Sequence, residues 1–511
     1  REFFEMQKTV GNYKQKIFFL IATLLCLNAI SQNAKIKGAF DQLSLNRKLS
    51  LFRQMNFTQY PTANVIEYID INKGKYFAKL TVRQPEIMYL ASHINDSLEF
   101  RQPLFLKNGY TVEIEYKTKI GKPRLIVTGK GAPDNQPLVL SDYDNINEYS
   151  KDTLPGNLFS YIQDESKKNA RALANYIVKY KPSTDFIKYL NYEIKYAPLK
   201  AYYSFAQQRK FYIKDAYKRN IEKWDDVFNQ LLKDAPLINE DALSIISYRI
   251  FLKDYLQRTK EQLWNDANAD IKAFVKKWYD DDFVKGEAEF NADVSNRLCQ
   301  KVIDKYFTGK VKEYMYSCLI KEALESSLVQ NMASIYNDFS TEFPGSLYKK
   351  VYDKPVSLML EKLKRPLTDK MIFIPNSDSI NSWAEVVTMF KGKTVLLDMW
   401  GTWCGPCREE IEKNGPAIKS YFKNKQVDYL YIANYDEDNK EQWRSLIAYF
   451  NMEGSHILAS KKLTTDIMEI LKGEGYPTYA VIHKDGSFEL SKAGYPMDRQ
   501  KLIEQIEEAL K

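Results

Sequence analysis

Histidine is scarce in this chain: 511 residues carry three, His93, His456 and His483. The commonest metal ligand and general base is therefore nearly missing, and histidine chemistry is not expected. Cysteine is also sparse, at five residues. No second Cys-x-x-Cys or Cys-x-x-His pair accompanies Cys404 and Cys407, so a zinc site built on them would lack its other ligands. No block of one charge sign occurs. The 74 Lys+Arg and 66 Asp+Glu are mixed along the chain for a net +8, without the basic stripe of a nucleic-acid groove. Low-complexity tracts are absent, and apolar residues make up 44%. What remains is a globular, multidomain chain; about 150 residues per domain suggests roughly three domains.

One apolar run stands out, Ile17-Phe-Phe-Leu-Ile-Ala-Thr-Leu-Leu-Cys-Leu27, with Lys8, Lys14 and Lys16 before it and Ala29-Ile-Ser31 after it. This is the layout of a signal peptide over residues 1–31, with Met6 as its natural start. Eleven apolar residues are too few to span a bilayer. An uncleaved N-terminal membrane anchor is the competing reading, and Cys26, preceded by two leucines, does not suit a lipoprotein box. Cleavage after Ser31 would remove Cys26 and leave Cys299, Cys318, Cys404 and Cys407. An even count suits an oxidising compartment, so the periplasm or cell envelope is expected.

Residues 35–150 read as an antiparallel β-sandwich. Val65–Ile71 and Tyr76–Val82 flank Lys73-Gly74 as a hairpin, and Leu104–Leu106 and Thr111–Tyr116 flank Asn108-Gly109 as another. Leu125–Thr128 adds a short strand. From 155 to 365 the period becomes helical. Ser183-Thr184-Asp185 supplies capping side chains, and Phe186, Tyr189, Leu190, Ile194 and Ala197 recur at helical spacing up to Pro198. The many aromatic residues here read as core, and helix pairs in series leave a repeat-like array open. Cys299 and Cys318 either bridge two of these helices or pack as free thiols.

From 366 to 511 strands alternate with helices. Strands are expected at Met371–Ile374, Thr394–Trp400, Val427–Ala433, Thr478–Ile482 and Phe488–Leu490. Helices are expected near 382–390, 407–422, 440–450, 464–471 and 498–510. This order implies an α/β domain with a largely parallel centre. Cys404 and Cys407 lie where a buried strand gives way to a helix. Free N–H groups and the helix dipole there lower a thiol pKa, which makes Cys404 the expected attacking thiolate. Cys407, one turn deeper, is placed to resolve a mixed disulfide and close a Cys404–Cys407 disulfide. Pro406 loses no hydrogen bond in the first turn, and Trp403 is placed to shield one side. A structural disulfide without chemistry is the bland alternative, and half a zinc site is a weaker one.

Trp403-Cys-Gly-Pro-Cys407 after an apolar strand, with Gly475-Tyr-Pro-Thr478 some seventy residues later, resembles the thioredoxin fold. In particular it resembles the exported thiol-disulfide oxidoreductases of the TlpA/ResA type, over about residues 366–511. The resemblance implies a cis proline at Pro477 facing the cysteines and a substrate-docking edge at Tyr476 and Pro477. Asp398 matches the buried acid that helps move the resolving cysteine's proton, or else it caps the strand end. Glu410 matches an acidic residue near the active site of ResA-type proteins, or else it is a solvated carboxylate at a helix start. Where relatives often have Glu-Phe-Pro, this chain has Glu-Ile-Glu. Peroxidase relatives place a threonine three residues before the reactive cysteine; Thr402 is two before Cys404. The 35–150 region and Phe343-Pro-Gly-Ser-Leu-Tyr348 resemble the β-domain and the end of the helical region that precede such domains in envelope proteins.

The expected function is disulfide exchange with envelope proteins, with a lean towards a reductant fed by a membrane electron donor. No cofactor, metal or nucleic acid is expected. The alternatives are an envelope binding protein with an accessory thioredoxin domain, and a thiol peroxidase.

Overall fold

The computed structural model describes residues 33–41, 46–53, 65–82, 84–95, 97–119, 122–279 and 282–511. The expected signal segment, with Met6 and Cys26, lies outside them. Two compact units divide between Arg258 and Thr259. Among the described residues no helix is long and apolar enough to cross a membrane.

The first unit opens with nine described strands: β1 Asn33–Phe40, β2 Arg47–Arg53, β3 Val65–Ile69, β4 Ile71–Asn72, β5 Lys75–Thr81, β6 Glu86–Ile94, β7 Ser97–Leu106, β8 Thr111–Lys119 and β9 Lys122–Thr128. They form two sheets, ordered β4-β5-β1-β8-β9 and β3-β2-β6-β7. Strand β5 shows why: Tyr76, Ala78 and Leu80 are buried while Lys75, Phe77, Lys79 and Thr81 face out, the period of a half-buried strand. Ile36, Leu51, Leu90, Leu104, Val112 and Ile114, drawn from both sheets, share one core.

The Lys73-Gly74 hairpin forms only as a short pair of Ile71–Asn72 with Lys75–Tyr76, and the Asn108-Gly109 turn does not close a hairpin within one sheet. The chain leaves regular pairing at Asp70, so β3 pairs with β2 while only Ile71–Asn72 returns against β5. The Asn108-Gly109 turn, with Gly109 at φ +80°, joins β7 of one sheet to β8 of the other. Turn chemistry permits the reversal, but burial of Leu104–Leu106 decides which sheet each strand joins. One pair departs from the antiparallel expectation: β1 runs parallel to β8.

Helices follow. Ser183 caps the helix Thr184–Tyr212 by accepting from the Phe186 N–H at 3.3 Å. This helix does not stop at Pro198, as the sequence suggests, but continues past it. Burial of Leu199, Tyr202, Tyr203 and Phe205 beyond the proline outweighs the one backbone bond that proline removes. In the second unit the helices Asn296–Tyr306, Gly309–Glu325, Met332–Glu342 and Leu347–Leu363 lead to the C-terminal sheet. No disulfide joins Cys299 to Cys318, so the bridge left open above is not formed. Burial pushes the Cys299 thiol up to about 12.

The C-terminal sheet holds β10 Met371–Phe373, β11 Thr394–Trp400, β12 Val427–Ala433, β13 Gly454–Leu458, β14 Thr478–Ile482 and β15 Phe488–Leu490. Its order is β10-β13-β12-β11-β14-β15. β10, β13, β12 and β11 are parallel, β14 runs antiparallel to β11, and β15 antiparallel to β14, an α/β thioredoxin-like arrangement. Strand β13 is absent from the sequence expectation, because it is short, opens on Gly-Ser-His, and shows no apolar alternation. Strand β11 is central, with all seven residues buried. Val395, Leu397 and Met399 pack on one face with Ile432 and Ile457. Leu396 packs on the other with Ile418, Val481, Leu502 and Ile506, beneath the helices Gly405–Tyr421 and Arg499–Leu510. Side chains alternate along a strand, which places Asp398 on the same face as Leu396.

Candidate redox active site

Strand β11 ends at Trp400, four residues follow, the last of them Cys404, and the helix Gly405–Tyr421 begins. Cys404 is its N-cap: the sulfur accepts from the Cys407 N–H at 3.1 Å, one of the donors that every helix start leaves free. Cys404 and Cys407 are disulfide-bonded, with Cα atoms 5.3 Å apart. Cys404 is 4% exposed and Cys407 wholly buried, so the outer sulfur belongs to Cys404. Pro406 sits in the first turn, where no donor is needed.

Trp403 is half-exposed. Its indole N–H donates to the Asn434 carbonyl at 2.8 Å, and Tyr476 meets its ring edge-on at 5.4 Å. The Tyr476–Pro477 peptide is cis. In the β11–β14 register Met399 lies opposite Thr478, so Pro477 falls level with Trp400, at the end of the sheet from which the chain runs into Cys404. Of the expected site residues, Trp403 and Tyr476 are in direct contact.

Asp398 is buried in mid-strand, and its Oδ1 has no hydrogen-bond partner. Burial, with the nearby Glu410 charge adding to it, pushes its carboxyl up to about 8. Strand-end capping therefore does not describe it. Glu410 is equally buried and accepts from the Met497 N–H at 3.1 Å and from the Asn414 amide, so the solvated alternative fails as well. Asp398 and Glu410 line one cavity with Lys419, Tyr429, Tyr431, Tyr479 and Met497. Lys419 donates to the Glu453 carbonyl at 2.7 Å, and burial brings its ammonium down to about 8. Two groups poised near 8 thus share a cavity with Ile411, one helical turn beyond Cys407.

Sequence reasoning missed the loop after β12. Asp436 is wholly buried and accepts from the Thr402 N–H at 2.8 Å and hydroxyl at 2.5 Å. The Asn434 amide donates to the Trp400 carbonyl at 2.9 Å, and its oxygen accepts from the Thr464 hydroxyl at 2.9 Å. Between them Tyr435 takes φ +56° and leaves its ring half-exposed 6.2 Å from Trp403. The available signal was position: Asn434-Tyr435-Asp436 follows the C-terminal end of a parallel strand, where α/β sheets build their sites.

A family model described as Redoxin matches residues 382–509. The chain is 28% identical over 126 residues to sporulation thiol-disulfide oxidoreductase A of Bacillus subtilis, a match covering 23% of this chain and 69% of that protein. It is 33% identical over 125 residues to thiol-disulfide oxidoreductase ResA of Bacillus thuringiensis, covering 24% and 64%; the chain thus spans less than two thirds of ResA. Among solved structures, the thioredoxin domain of a thiol-disulfide oxidoreductase from Bacteroides vulgatus is 22% identical with a TM-score of 0.21, covering 24% of this chain and 84% of that one.

Proposed function

We propose, from a C-terminal domain that is a Redoxin-type, thioredoxin-like thiol-disulfide oxidoreductase of the TlpA/ResA kind, that this chain is exported and exchanges disulfides with envelope proteins, acting as their reductant. The observation that carries the reading is the Cys404–Cys407 pair at a helix N-cap, with the outer sulfur on Cys404. In the reduced protein the Cys404 thiolate attacks one sulfur of a substrate disulfide. A mixed disulfide forms, and the other substrate sulfur leaves as a thiolate. Cys407 then gives up its proton and attacks the Cys404 sulfur, which releases the second substrate thiol and leaves the internal disulfide. Two electrons have moved to the substrate, and a membrane electron donor restores the dithiol.

Asp398 takes the Cys407 proton in this scheme. Burial raises its proton affinity, which suits it to hold a proton handed on inside the protein. Glu410 sets the charge of the cavity, Trp403 and Pro406 hold the loop, and Tyr476 and Pro477 form the edge against which the substrate backbone docks. The accompanying boundaries are a signal peptide over 1–31, a β-sandwich over 35–150, a helical domain over 155–365 and the thioredoxin-like domain over 366–511.

Insulin reduction by the full chain tests the reading. The expected result is turnover by the wild type and none by Cys404→Ser or Cys407→Ser. Undiminished activity in both variants sinks it, and peroxide consumption much faster than insulin reduction makes the protein a peroxidase instead.

A further inference from the structure

One residue past the disulfide, Arg408 is 4% exposed. Its Nη1–H donates to the Thr402 carbonyl, two residues before Cys404, and its Nε–H donates to the Ser326 carbonyl at 2.9 Å. Its Nη2 lies 3.8 Å from where a β-carbon on Gly405 would sit, so the guanidinium lies against the residue that follows Cys404. Ser326 ends the helix Gly309–Glu325. Ser327 beside it is 2% exposed, holds φ +48°, and donates its hydroxyl to Glu412, one turn beyond Arg408. Glu412 also accepts from Lys362 on the helix Leu347–Leu363. The first two turns of the active-site helix are therefore fastened to a turn of the helical region at two points.

This fastening is directional. A guanidinium donates in a fixed fork, and here one branch reads the loop that carries Cys404 while another reads the helical region. A buried non-glycine residue at positive φ persists only where its surroundings hold it, and Ser327 is held by its bond to Glu412. The charged group that acts on the guanidinium is Asp436, across the loop after β12. Burial lowers the Arg408 pKa to about 10 while Asp436 opposes the fall, so the side chain is a cation at neutral pH.

We propose that Arg408 is a positioning residue of the redox couple, and that through it the 326–327 turn of the helical region sets the acidity of the Cys404 thiol. The proposal rests on the redox reading above. A cation held against Gly405 favours the Cys404 thiolate. Releasing the turn lets the guanidinium swing away from it.

The test titrates Cys404 by thiolate absorbance in the reduced full chain carrying Cys407→Ser. Arg408→Gln should raise the Cys404 pKa by about one unit, a tenfold change in thiolate equilibrium. Arg408→Lys, which keeps the charge and guards against loss of fold, should raise it less. Inserting two glycines between Ser327 and Leu328 should raise it in the parent but add nothing in Arg408→Gln, as a shared pathway requires. An unmoved pKa in Arg408→Gln overturns the proposal, and so do additive effects of insertion and substitution. Insulin turnover of the otherwise wild-type chain is scored separately, so an inactive protein counts against the redox reading and an unmoved titration against this one.

Discussion

At Asp398 a carboxyl group stands on a strand whose seven residues are all buried, with one oxygen unpartnered. An unfolded chain ionises it at about 3.9; the folded chain holds its proton up to about 8. Between those values the native state binds a proton that the unfolded state has released, so this group's contribution makes stability fall as pH rises through the window. Above 8 the full cost of a buried carboxylate is present. Asp398→Asn should remove that slope and stabilise the protein at pH 8 by a few kcal/mol more than at pH 4, read by urea unfolding at both. The same variant should slow insulin reduction and lose the rise in rate towards pH 8. The two cysteines, Trp403 and Pro406 were legible as candidates because a short motif and its strand-to-helix setting announce them, and Asp398 and Pro477 through the resemblance that motif carries. Asp436, Tyr435 and Arg408 were not. Asp436 finds Thr402 across 34 residues of sequence, and nothing local to either residue reveals that pairing.

Among the elements, the loop after β12 does for the active-site loop what the cap does for the helix. Asp436 satisfies two donors of Thr402 inside the protein. Asp436→Ala leaves both buried and unpaired, a loss of about 1–3 kcal/mol for each group stranded. It should lower the urea midpoint and slow disulfide exchange together, whereas a loss of stability with an unaltered rate would deny the loop a role at the site. Elements whose pattern matched their environment were readable from sequence: β11 as a continuous buried run, β5 as a clean alternation. The helix through Pro198, the short strand β13, the pairing of β3 with β2 and that of β8 with β1 were not. In each, long-range burial chose between local options that the sequence leaves equivalent.

At the scale of the whole chain the cysteines separate by environment. Cys404 and Cys407 form a disulfide, while Cys299 and Cys318 are not disulfide-bonded. Alkylation of the oxidised, denatured protein should therefore modify two thiols if residues 1–31 have been removed and a third, Cys26, if they remain; intact mass distinguishes the two. A bridge between Cys299 and Cys318 would leave neither labelled.

The central claim is that Cys404 is the nucleophile of a disulfide exchange, and trapping tests it most directly. Full-length Cys407→Ser is reduced, exposed to a protein disulfide and mapped by mass spectrometry. The account predicts a mixed disulfide at Cys404, released by dithiothreitol and absent when Cys404→Ser is added. An adduct that persists without Cys404, carried by Cys299 or Cys318, would contradict it.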